Sequence, residues 1–95
     1  MSFHFDEPLC SAEVIFKMFE LGYKPANIWH LLYLSIRNPD IQRNFSVISL
    51  GSPCLLGGIY HVPCLPKKET GEYEIKLEWS GGDWNSSCRF VGVLK

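Results

Sequence analysis

The chain has 95 residues, 46% of them hydrophobic and 20% charged, with nine Lys and Arg against ten Asp and Glu for a formal net charge of −1. That size and apolar content describe one ordered domain, residues 1–95, and exclude a disordered tail. The near-balance of charge, with no block of one sign, excludes a field that would draw the chain to nucleic acid or to an anionic membrane.

The first residues, MSFHFDEPL, carry neither a basic n-region nor a long apolar h-region, so no secretory signal is read and a cytoplasmic location is expected. Cys10, Cys54, Cys64 and Cys88 are then expected as reduced thiols, with disulfides as the alternative in an oxidising compartment. No apolar run reaches the length of a bilayer span, so no membrane partner is expected.

Residues 1–10 read as an irregular lead-in in which Phe3 and Phe5 either enter the core or pair as an edge strand. Ser11 is placed as a helix N-cap, with Glu13 near the positive end of the dipole. The helix runs to about Leu21 and leaves at Gly22. Val14, Ile15, Phe16, Met18, Phe19 and Leu21 give it a wide apolar arc, and Glu13, Lys17 and Glu20 a thin polar stripe. The link Gly22-Tyr23-Lys24 is short, which predicts neighbouring helices.

Pro25–Arg37, read PANIWHLLYLSIR, is the most apolar helix in the chain. Pro25 suits a first helical position, and Asn38-Pro39 closes the other end. At 100° per residue, Ile28, Trp29, Leu31, Leu32, Tyr33 and Ile36 sweep about 200° of its circumference. Ala26, Asn27, His30 and Arg37 share the remaining stripe, with Leu34 intruding. An arc this wide predicts cover on at least two sides, by another helix and a sheet, or by a partner.

Ile41 to Arg43 reads as a polar link, and Phe45 to Leu50 as a short strand. Cys54 to Val62 is apolar, and its Gly57-Gly58 pair predicts a bulge, a bend or two strands joined by a turn. Pro63 and Pro66 end the ladder, and a polar loop spans Lys67 to Gly71. Tyr73 to Trp79 alternates strictly, with Tyr73, Ile75, Leu77 and Trp79 toward a core and Glu74, Lys76 and Glu78 toward water. Ser80-Gly81-Gly82-Asp83 is a hairpin turn by composition, and Ser87 to Leu94 is its return strand.

The fold class expected from this order is α+β. A two-helix hairpin over residues 11–37 packs on a three- to four-stranded antiparallel sheet over 44–95. The alternative is helices with a small bent barrel.

Local signatures of catalysis are absent from the sequence. No G-x-S-x-G elbow or phosphate-cradling glycine loop occurs, so no enzyme and no cofactor is expected. Cys54, His61, Cys64 and Cys88 supply four soft donors, and a small Cys/His metal domain is one alternative. Only His61-x2-Cys64 has a knuckle-like spacing, so no metal site is assigned. Glu20 to Leu32, ELGYKPANIWHLL, resembles the turn and second helix of a helix-turn-helix, which implies a DNA-binding regulator as a second alternative. Met18 stands where that motif has a small residue, and the second helix offers few groups to read a base edge.

The leading expectation is a small protein-binding module, an inhibitor or adaptor of a larger protein or nucleoprotein complex, with a homodimer as the other assembly. In size, single-domain make-up and lack of catalytic motifs the chain resembles small phage counter-defence proteins. Trp79, Asp83 and Trp84 at the hairpin tip, then His30 and Arg37 on the helix, are the candidate protein-binding residues.

Overall fold

In the computed structural model, which describes residues 2–38, 40–68 and 74–95, the chain alternates short strands and helices. The N-terminal part runs β1 (Ser2–Phe3), β2 (Leu9–Cys10), α1 (Ser11–Glu20), β3 (Tyr23–Pro25), α2 (Ile28–Arg37) and α3 (Ile41–Asn44). The rest is strands: β4 (Ser46–Ile48), β5 (Cys54–Leu56), β6 (Ile59–Leu65), β7 (Lys76–Trp79), β8 (Asp83–Trp84) and β9 (Cys88–Leu94). One mixed seven-stranded sheet has the order β1-β9-β4-β6-β5, with β3 also on β9 and β7 also on β6, and β2 with β8 forms a separate pair.

This overturns the expected helical hairpin on a small antiparallel sheet. The link between the helices is not a turn: Tyr23, Lys24 and Pro25 pair with Leu94, Val93 and Gly92 of β9. Pro25 therefore lies in a strand, and α2 starts after Asn27, whose side chain caps it by accepting from the His30 N–H at 3.1 Å. The first helix, by contrast, is capped one residue earlier than Ser11. Cys10 is its N-cap and donates its backbone N–H to Glu13 Oε1, while Ser11 is already helical. Ile41–Asn44, read as a link, is one helical turn, and its buried Gln42 donates to the carbonyls of Pro66 and Glu74.

The two main helices lie on opposite faces of the sheet. Val14 and Met18 of α1 share a cluster with Ile48, Val62, Cys64, Cys88 and Phe90. Leu31 of α2 shares another with Ala26, Val47, Leu65 and Val91. The two sets alternate along β4, β6 and β9, and successive side chains of a strand point to opposite faces. The chain changes face through β3, so the layers are helix, sheet, helix. This also separates α1 and α2 from the geometry a helix-turn-helix requires.

The strand at 88–94 is not a return strand beside 76–79. It pairs antiparallel with β1 and β3 and parallel with β4, while β7 pairs with β6. Buried residues on both of its faces are what a central strand covered on two sides needs. A parallel partner forty residues upstream leaves no local trace, because it arrives through a long crossover. Phe3, in the expected lead-in, is buried against this strand as part of β1.

Pro63 does not stop the ladder; it lies inside β6, buried. Its carbonyl accepts from the Ser49 N–H at 3.1 Å. In an antiparallel pair a residue's N and C=O point to the same edge, so the missing donor falls where β4 has ended and β5 has not begun. Gly57 and Gly58, with φ of 58° and 82°, form the two-residue turn between β5 and β6. Positive φ at both turn positions is the hairpin conformation that suits the strand twist and selects glycine.

Candidate binding face

The apolar arc of α2 is covered on one side only. Leu31 is fully buried against the sheet, whereas Trp29, Tyr33 and Ile36 are 73%, 61% and 76% exposed. At 100° per residue those three lie within about 60° of one another, roughly opposite Leu31. The stripe thus points away from the protein. The expectation of cover on two sides does not hold within this chain.

A second apolar patch lies on the same side of the sheet, beyond α2. The register places Trp79 opposite His61, Leu77 opposite Pro63 and Leu56 opposite Ile59. All six residues share the face of Leu65, which packs in the α2 cluster. Leu56, Ile59, Leu77 and Trp79 remain exposed. The alternation of β7 is therefore real but inverted: its apolar residues face water, and Lys76 and Glu78 form an ion pair of 2.8 Å on the other face. The cause is position: among the described residues β7 pairs with β6 alone, and α2 packs over β4, β9 and the Leu65 end of β6. Tyr73 lies outside the described residues.

Among the expected binding residues, the structure brings His30 and Arg37 together and disperses the rest. His30 and Arg37 stand two turns apart on α2, about 10.5 Å along the axis. With Tyr33 and Leu34 they form one wall of a groove of about 330 Å³ whose floor is Val91, Gly92 and Val93 of β9. A groove of about 530 Å³ toward α3 continues it, sharing Leu34, Arg37, Asn38 and Val91. Arg37 donates to Tyr33 Oη at 3.3 Å and carries its guanidinium over the same ring, 5.8 Å from the centroid. His30 Nδ1 accepts from the Asn27 N–H at 3.1 Å, so the neutral ring holds its proton on Nε2 and presents a donor outward. The wall thus offers donors, not acceptors, at both ends.

Trp79 and Trp84 do not close a common hairpin. The Trp79 indole is 59% exposed and rests on the Gly81–Gly82 backbone. Asp83 is exposed in β8, opposite Cys10. Trp84 sits on the α1 side: its Nε1 donates to Ser11 Oγ at 2.9 Å and its ring packs edge-on to Phe90, centroids 6.2 Å apart. It is a part of the core, and its role there was hidden because Ser11 and Phe90 are brought to it only by the fold. Trp84→Ala is expected to destabilise by about 2 kcal/mol, against less than about 0.5 kcal/mol for Trp79→Ala. Urea titration of both variants measures this, and equal effects would contradict the assignment.

The four soft donors are split. Cys54 and His61 are opposite each other on the α2 side, whereas Cys64 and Cys88 belong to the α1 cluster. Among the described residues no group of three potential metal ligands forms. All four cysteines are free thiols. Burial, reinforced by the nearby Glu78 charge, pushes the Cys64 thiol up to about 12, and burial also raises Cys88. Both stay protonated at neutral pH, unsuited to attack as thiolates. No helix among the described residues is long and apolar enough to cross a membrane. Comparison with protein-family models, with curated proteins and with solved structures returns no match to this chain.

Proposed function

We propose that the chain is a non-catalytic protein-binding module, an inhibitor or adaptor that docks on a larger protein or nucleoprotein complex through its α2 side. The observation that carries this reading is the outward stripe of Trp29, Tyr33 and Ile36 on a helix whose opposite face is anchored in the core. Small monomers rarely leave contiguous apolar surface in water, and such surface marks interaction sites. Trp, Tyr and Arg are also the side chains that dominate binding hot spots: Trp and Tyr bury much area with two rotors each, and Arg adds a planar fork of N–H donors. The exposed Trp79 and Leu77 on the same side of the sheet extend the face. The near-balance of charge gives no field toward nucleic acid and so favours a protein partner.

The test is capture from nuclease-treated lysate with tagged wild-type protein and a Trp29→Ser, Ile36→Ser double variant. One stoichiometric partner retained by the wild type and lost by the variant is expected, with circular dichroism showing both folded. Equal recovery by the two proteins, or recovery that disappears with nuclease, refutes the reading.

A further inference from the structure

Resting on that reading, we infer that the partner segment seated on α2 is an acidic amphipathic helix, with carboxylates meeting His30 and Arg37 and apolar side chains meeting Trp29, Tyr33 and Ile36. The argument is charge complementarity. Between Glu20 and Asp40 the chain has no carboxylate side chain, although it has ten in all. The positive and donor groups of this segment gather on the docking side. Lys24 is exposed in β3 opposite Val93, whose side chain packs with the α2 cluster. Neither Lys24 nor Arg37 has a carboxylate within ion-pair distance among the described residues, while Asp40 is taken by Arg43 at 3.0 Å. An apolar stripe rimmed by unneutralised cations and N–H donors favours an apolar surface rimmed by acceptors and rejects a basic one.

The spacing narrows the shape. His30 and Arg37 are seven residues apart, about 10.5 Å along α2, so a facing helix meets both with carboxylates at its own i and i+7. Its apolar residues at i+3 and i+4 then fall between them, level with Tyr33.

The experiment uses two labelled helical peptides with the same leucine stripe, one flanked by Glu at i and i+7 and the other by Lys at those positions. Fluorescence anisotropy is read against wild type, Arg37→Glu and Ile36→Ser at low and high salt. The Glu peptide is expected to bind the wild type, to weaken about tenfold with Arg37→Glu and with salt, and to be lost with Ile36→Ser. The Lys peptide is expected to bind at least about tenfold more weakly to the wild type and to gain with Arg37→Glu. Equal affinity for the two peptides, no effect of Arg37→Glu, or binding of neither overturns the inference. Self-association that consumes the face, seen as a dimer in sedimentation that Ile36→Ser dissolves, overturns it in favour of a second copy. If lysate capture depends on Trp29 and Ile36 but is unchanged by Arg37→Glu, the docking face stands and the acidic class of partner falls.

Discussion

Gly51→Ala is expected to lower the free energy of unfolding by about 3 kcal/mol, although Gly51 is exposed. A Cβ at this position would stand 2.5 Å from the Ala26 carbonyl oxygen, 2.7 Å from that of Pro25 and 2.8 Å from the Ala26 carbonyl carbon. All three are backbone atoms, so no side-chain rotation relieves the overlap. The two segments must separate, and the bonds that bind them there loosen together. Gly51 donates its N–H to the Ala26 carbonyl at 2.8 Å, and Ser49 Oγ donates to the same oxygen. Ser52 Oγ accepts from the Ile28 N–H at 2.9 Å, one of the orphan donors at the start of α2. Residues 49–52 therefore moor the point where the chain leaves β3 and enters α2. Alanine's smaller unfolded-state entropy offsets only about 0.4–1 kcal/mol of the loss. Chemical denaturation measures the difference, and a variant as stable as the wild type would show that this crossing has slack the geometry denies. Ser52→Ala provides the graded control, with an expected cost of about 1 kcal/mol for one hydrogen bond.

That mooring also explains which parts of the fold were legible in the sequence. Helical periodicity located α1 to within a residue of its ends and α2 at its C-terminal end, whereas α2 begins three residues later than expected because Tyr23–Pro25 is a strand. Nothing local said on which side of the sheet each helix lies. That is decided by Tyr23-Lys24-Pro25 pairing with the last residues of the chain, some seventy positions away. The alternation of residues 73–79 points to a strand, and Lys76–Trp79 forms one, but alternation reports two unlike faces and not which one is covered. At an edge strand beyond the reach of α2 the apolar face is left in water. Ser87 to Leu94 does form a strand, over Cys88–Leu94, but its apolar residues on both faces suit a central strand better than a hairpin arm. In the candidate site, His30 and Arg37 were readable as one helical stripe because they share α2. Val91 and Val93, the floor beneath them, come from β9 and had no local mark.

The strongest contrast is expected within α2 itself. Leu31→Ala should destabilise by about 3 kcal/mol, because the side chain is fully buried and its cluster is small, with Ala26, Val47, Leu65 and Val91 as its other buried members. So thin a cluster has little means of collapsing into the cavity, which places the cost well above simple transfer. Ile36→Ala removes a side chain of equal size five residues on and should change stability by less than about 0.5 kcal/mol, since 76% of Ile36 is already in water. Thermal unfolding of the two variants at low concentration reads the difference directly. If Ile36→Ala costs as much as Leu31→Ala there, the outer stripe of α2 is internal and the helix-sheet-helix order fails. If the costs converge only as protein concentration rises, and the wild-type Tm climbs with it, a second copy covers the stripe by mass action. If they stay apart at every concentration, the stripe is free in the isolated chain, and its three large apolar side chains are open to a different partner.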